Sequence, residues 1–158
     1  MKKYENASLT GTYTFTIRDA KTNKIKRVYE FKNIIPTVGR TMIANNLTNV
    51  TPTDDPLVNY IALGTGDTAP ANGDTSLVAE TYRNQVASRT NSGIIGYVTG
   101  FFSATETDGT FKEAAIYSNG TASVDSGILL SRVLLNVPTG IVKSNTESLT
   151  VDWTLTIN

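Results

Sequence analysis

The chain has 158 residues, 39% of them apolar and 18% charged, with 14 basic and 14 acidic side chains and no cysteine or histidine. That is enough chain for one domain with its own core, assigned here to residues 1–158, and too apolar for a disordered tail. The composition excludes disulfides, thiolate and imidazole chemistry and the usual zinc ligands, while the neutral balance lacks the basic footprint of a nucleic-acid binder.

The N-terminus, MKKYENASLTGTYTF, carries two lysines but no apolar segment of the secretory type. No apolar run along the chain is long enough to span a bilayer, so no membrane partner is expected. Residues 1–9 are expected to form an arm. Thr10 to Ile17 alternates strictly, with Tyr13, Phe15 and Ile17 on one face and Thr12, Thr14 and Thr16 on the other, which predicts a half-buried strand. Asp19 to Lys24 is a polar turn in which Asn23 is the residue best able to take positive φ. Ile25 to Ile34 returns as the second strand of a hairpin. The basic residues of Lys21 to Lys32 in this hairpin, including Lys24, Lys26 and Arg27, read as charges guarding a sheet edge and as one candidate interface.

Pro36 ends that strand. Val38, Met42, Ile43 and Leu47 then recur at helical spacing, predicting one short helix near residues 38–47 with Thr37 as its N-cap. Asn49 to Pro56 is a loop by composition and contains Asp54 and Asp55. Asn59 to Leu63 is a strand that ends at Gly64, and Thr65 to Asp74 is a structured surface loop bearing Asp67, Thr68 and Asp74. These two loops complete the candidate interface. Gly64 and Gly66 are expected to allow a tight exit from the strand. They do not form a phosphate loop, because no lysine and no further glycine follow at the required spacing.

Ser76 to Glu80 is expected to make one helical turn. Tyr82 to Thr90 alternates as a polar edge strand. Ile94 to Ala104 is the most apolar strand and is expected at the centre of a sheet, with Gly96 and Gly100 marking close backbone approach. Phe111 to Tyr117, Ile128 to Val137 and Leu149 to Ile157 follow as strands. In the last, Leu149, Val151, Trp153, Leu155 and Ile157 oppose Thr150, Asp152, Thr154 and Thr156. About eight strands with short turns predict an all-β, mainly antiparallel sandwich or jelly-roll-like fold.

Glu113 falls inside an apolar strand, where a lone carboxylate is costly to bury. It therefore needs a cation, and Arg83 or Arg132 is the expected partner in a structural ion pair. Glu80 with Glu113 would be the pair for a carboxylate enzyme of the glycosidase kind, which requires both in one open cleft. The aspartates show no calcium-loop spacing and read as turn formers. No metal, cofactor or catalytic residue is assigned.

Several segments in order resemble the tail-collar fibre attachment domains of tailed bacteriophages. NIIPTVGRTMIANNL (residues 33–47) is similar to the helix near the start of those domains, and YIALGTG to the strand after it. Leu77, Glu80 and Arg83 follow a short proline-bearing loop as in the family. KEAAIYSNG resembles its Arg-Glu-x-Gly-Ile strand, with Lys112-Glu113 at the Arg-Glu position and Ala115-Ile116 in place of Gly-Ile. LTVDWTLTI resembles its closing strand. The resemblance implies a non-enzymatic virion protein, assembled in the bacterial cytoplasm, whose partners are other virion proteins and copies of itself in a trimer or ring. Family fibre proteins continue into a shaft, whereas this sequence stops at Asn158. The expectation is therefore a stand-alone adaptor of the tail, baseplate or fibre, with capsid decoration as the alternative. A carbohydrate-binding β-sandwich, with an exposed aromatic face, is the reading from a different class.

Overall fold

Two patterns of hydrophobicity, alternating and continuous, sort the strands into two facing sheets. The computed structural model describes residues 8–49, 51–136 and 138–158. Its elements in chain order are β1 (Leu9–Asp19), β2 (Ile25–Lys32), the helix α1 (Thr37–Thr48), β3 (Val58–Gly64), β4 (Glu80–Gln85) and β5 (Ser88–Ser92). They continue with β6 (Ile95–Phe102), β7 (Gly109–Phe111), β8 (Glu113–Ser118), β9 (Ile128–Leu134), β10 (Ile141–Lys143) and β11 (Glu147–Ile157). All pairings are antiparallel, and no sheet closes on itself. The fold is thus an open antiparallel β-sandwich with one short helix.

The first sheet has the order β2-β1-β11-β6-β5 and is built from the alternating segments. Tyr13 pairs with Trp153, Phe15 with Val151 and Ile17 with Leu149 across β1 and β11. All six side chains are buried on the inner face, while the intervening threonines line the outer one. At about 1.5–3 kcal/mol for each large apolar side chain, this double row is the main stabilising surface of the sheet. The hairpin turn forms as expected, with Asn23 at φ 57°.

The second sheet, β4-β3-β8-β9, lies across this core and is covered on both faces. Ile61, Leu63, Ala114, Ile116 and Val133 face the first sheet. Tyr60, Ala62, Leu77, Ala115, Tyr117 and Leu129 form a smaller cluster on the other face, with Val38 of α1 packed against it. Double burial explains why β3, β8 and β9 read as continuous apolar runs rather than alternating ones. A short third ladder joins β7 to β10.

Several boundaries differ from the sequence reading. Among the described residues eleven strands form where about eight were expected, because two expected strands are interrupted and the short β10 was not foreseen. The segment from Tyr82 to Thr90 breaks at Val86-Ala87 and changes sheets, placing β4 in one layer and β5 in the other. Phe111 to Tyr117 breaks at Lys112, whose backbone N–H bonds Gly64 O at 2.8 Å and whose carbonyl accepts from Leu135 at 2.7 Å. Residues 76–79 form no helical turn; their backbone is held by a side chain described below. Pro36, not Thr37, is the N-cap of α1, and no side chain caps that end. The apolar β6 lies beside the edge strand β5 rather than at the centre of its sheet. Of the expected arm, Leu9 belongs to the first sheet and Ser8 extends it, exchanging two 2.8 Å backbone bonds with Asn158; residues 1–7 lie outside the described residues, as does Val137 at the end of the strand expected over Ile128 to Val137.

Glycines set how closely layers approach. A Cβ at Gly100 would sit 2.4 Å from Ile61 Cδ1, as the expected close approach requires, whereas Gly96 has no such neighbour. A Cβ at Gly39 would lie 2.9 Å from the carbonyl of Leu129 and 3.0 Å from Leu130 Cα, so α1 rests directly on the β9 backbone. Gly39→Ala gains about 1 kcal/mol of helix propensity but must lift the helix off the sheet, a displacement that costs about 1–3 kcal/mol. The variant is expected to be less stable than the parent, seen as a lower urea midpoint at unchanged m-value.

Candidate functional site

The outer face of the second sheet carries a buried charge network that anchors the loops at one end of the sandwich. Glu113 begins β8 opposite Gly64 of β3 and Leu134 of β9. Its side chain is fully buried. Oε1 accepts from the backbone N–H of Ala79 at 2.8 Å and of Gly66 at 3.2 Å, and Oε2 from that of Val78 at 3.1 Å. Arg132, on the neighbouring β9, donates to Oε2 from Nη2 at 2.9 Å and from Nε at 3.2 Å. The same guanidinium reaches Asp74 Oδ2 at 2.5 Å through Nη1 and the carbonyl of Thr68 at 2.9 Å through Nη2. One carboxylate and one guanidinium thereby fix the path of residues 66–79.

This geometry supplies a different reason for the glycines of the Gly64-Thr65-Gly66 stretch. Neither has a positive φ. A Cβ on Gly64 would lie 2.7 Å, and on Gly66 2.5 Å, from Glu113 Oε1. The glycines leave room for the carboxylate rather than permitting an unusual turn.

Arg83 does not pair with Glu113, contrary to one of the two sequence alternatives. It grips Glu80, three residues before it on β4, with Nε–Oε1 at 2.5 Å and Nη2–Oε2 at 2.7 Å. Its Nη1 donates to the carbonyls of Thr121 and Ser126, both at 3.0 Å, and to Ser126 Oγ at 2.8 Å. The guanidinium lies over the Tyr117 ring at 4.7 Å and the Tyr60 ring at 5.5 Å, a desolvated cation–π arrangement. Tyr117 in turn accepts from the N–H of Leu77 at 3.1 Å, and burial pushes its phenol far above the ordinary range. Asp125 donates its N–H to Glu80, and burial with the neighbouring Glu80 charge raises its carboxyl. Loop 119–127 is therefore held as firmly as loop 66–79.

The expected interface residues separate into three groups. Asp67, Thr68 and Asp74 come together above Glu113 and Arg132, but Asp74 is turned inward to Arg132, and only Asp67 and Thr68 are exposed. Asp67 lies 3.5 Å from the Lys112 ammonium. Asp54 and Asp55 are on another loop, where Asp55 accepts from Leu57 N–H at 2.8 Å as an ordinary turn former. Lys24 is exposed in the β1–β2 turn, while Lys26 and Arg27 are engaged by Glu147 at 2.5 and 2.7 Å.

Sequence reasoning missed Glu147 and Lys143. Both are buried, and the first is revealed only by the strand order, which sets β2 and the start of β11 on either side of β1 so that Lys26 and Arg27 reach Glu147. Burial alone would raise the Glu147 carboxyl, but Lys26, the backbone and hydroxyl of Ser144 and the charge of Arg27 outweigh it and bring the value down to about 2. The Lys143 ammonium donates to the carbonyl of Thr107 and, at 3.5 Å, to that of Ser144, and burial lowers its pKa.

Chemically, the site immobilises loops. Glu80 and Glu113 have no exposed side-chain surface, and each is clasped by its own arginine, so they do not form a carboxylate pair in an open cleft. Among the described residues no group of three acidic side chains is placed to hold a metal ion. Two exposed aromatics, Tyr97 and Phe101, share the outer face of β6. The chain matches no protein-family model, no curated protein and no solved structure.

Removing Arg132 leaves a carboxylate buried without its cation, which costs about 3–5 kcal/mol, a large part of a domain's usual stability. Arg132→Met is expected to lower stability by that amount. The double variant Glu113→Gln with Arg132→Met is expected to recover part of it, and urea unfolding of all three proteins closes the cycle.

Glu147 predicts an acid limb. Its folded value, about 2, lies below the ordinary 4.5, so its contribution is fully present above pH 4.5 and is lost as pH falls from there towards 2. With Lys26 and Arg27 partly exposed and screened, the contribution is on the order of 2 kcal/mol. Glu147→Gln is expected to be less stable at neutral pH and to lose less stability between pH 4.5 and 2, as read from unfolding free energy against pH.

Proposed function

We propose that the protein is a non-enzymatic structural component of a tailed-phage virion, working as an adaptor or attachment protein of the tail, baseplate or fibre. The observation that carries this reading is the immobilisation of the loops. Loops 66–79 and 119–127 are pinned from beneath by Glu113–Arg132 and Glu80–Arg83, which spends buried charges on shape. Pre-ordered loops suit docking, because less conformational entropy is lost when a partner is bound. Asp67 and Thr68 then offer an exposed polar tip, and the partners are other virion proteins together with further copies of this chain. The ordered resemblance to tail-collar attachment domains supplies the particle. Its motif residues Gly64, Gly66, Glu80, Arg83 and Glu113 all serve this one pair of anchors.

A second reading has one observation in its favour. Tyr97 and Phe101 are 40% and 46% exposed on one sheet face, and exposed aromatics of this kind are what a carbohydrate-binding sandwich would present.

Quantitative mass spectrometry of purified particles tests the first reading. A copy number matching a ring or two is expected. A ratio near one to one with the major capsid protein would move the protein to head decoration. Absence from the particle would defeat the virion reading, and a glycan array would then be the decisive measurement for the second.

A further inference from the structure

The two larger sheets end in four edge strands, and three of them are protected. β2 carries Lys26, Arg27, Glu30 and Lys32. β9 is covered by Ile34, which exchanges two 3.1 Å backbone bonds with Arg132, and by α1 packed against it. β4 is bulged at Thr81, where Leu63 pairs with Tyr82 and Gly64 with Glu80, and its Asn84 side chain donates to Phe101 O and to Glu106, both at 2.9 Å. The short β10 has its Val142 carbonyl capped by the Arg27 guanidinium at 3.1 Å.

β5 has none of these devices. Its five residues, Ser88-Arg89-Thr90-Asn91-Ser92, are all exposed, with no proline, no lysine and an unbroken register against β6. Among the described residues, no backbone or side-chain group satisfies the side of β5 that faces away from β6. Its one charge, Arg89, is drawn inward to the carbonyl of Val58 at 2.6 Å. A bare row of unpaired N–H and C=O groups is a template for another strand.

We propose that β5 is the interface for a second copy of this chain, the two β5 strands pairing antiparallel about a two-fold axis through Thr90 and joining the five-stranded sheets of both copies into one. An antiparallel strand laid on itself is self-complementary by construction, which is the requirement of an isologous dimer. The axis sets Thr90 against its own counterpart, Arg89 against Asn91 and Ser88 against Ser92. No like charges oppose, and threonine opposite threonine is a favourable cross-strand pair. Other registers lose this. An axis through Arg89 would put guanidinium against guanidinium, and one through Asn91 would bring the polar turn at Gly93 into the ladder. The edge also adjoins an apolar cleft of about 260 Å³ beneath β5 and β6, lined by Met42, Ile43, Leu57 and Leu155, whose mouth a second copy would narrow. This inference stands independently of the particle in which the protein works.

The test uses charge at the axis. Thr90→Lys and Thr90→Asp change only an exposed side chain, so both variants should fold, which their unfolding curves check. Sedimentation velocity across the micromolar to submillimolar range is expected to show a dimer, or an assembly of dimers, for the parent. Each single variant, with like charges directly opposed, is expected to dissociate to half that size. An equimolar mixture of the two is expected to re-associate, because Lys then faces Asp. A parent that stays monomeric, a parent trimer, or Lys and Asp variants that keep the parent's size would each overturn the proposal. A chemical check follows from the absence of native cysteine: under mild oxidation Thr90→Cys should give a disulfide-linked dimer, and Ser88→Cys, facing Ser92, should not.

Discussion

The architecture depends on a carboxylate that has no access to water. Glu113 can sit beneath a loop only because five donors converge on it, two from Arg132 and three from the backbone it orders. Remove either charge and the other becomes an uncompensated ion in a low-dielectric site. The pair does not stabilise the sandwich core, which closes through apolar packing between the sheets. Its role is to convert the polar loop of residues 66–79 into a fixed lid over the second sheet, with the Tyr60–Tyr117–Leu77 cluster sealed beneath.

Several sequence features follow from that single requirement. Gly64 and Gly66 lack side chains because the carboxylate occupies their space. Asp74 turns inward because Arg132 has a donor left over after gripping Glu113. The second pair, Glu80 with Arg83, repeats the solution on β4, two strands from β8, using a stacked guanidinium to pin loop 119–127. Two arginines, two glutamates and two glycines, scattered from residue 64 to residue 132, form one mechanical unit.

The layers divide the labour. The first sheet is half solvated, with a threonine-rich outer face and the bare edge at β5. The second is buried on both faces and carries the anchored loops at its end. The anchored loops and the bare edge of β5 therefore lie on separate surfaces.

Much of the first sheet was legible in the sequence, since an alternating strand declares both its conformation and its buried face; the pairing of Tyr13, Phe15 and Ile17 with residues of the closing strand adds only the register. The need of Glu113 for a cation was equally legible, because a carboxylate between apolar residues has few physical solutions. The choice between Arg83 and Arg132 was not. Both sit in strands of suitable pattern, and only the strand order β4-β3-β8-β9 puts Arg132 beside Glu113 and Arg83 two strands away. The same holds for the sheet change at Val86-Ala87, for Glu147 meeting Lys26 and Arg27, and for the bareness of β5. Composition and periodicity act over a few residues, so they determine element type and burial; which charges meet and which edge stays open depend on strand order, a long-range property that local sequence does not encode.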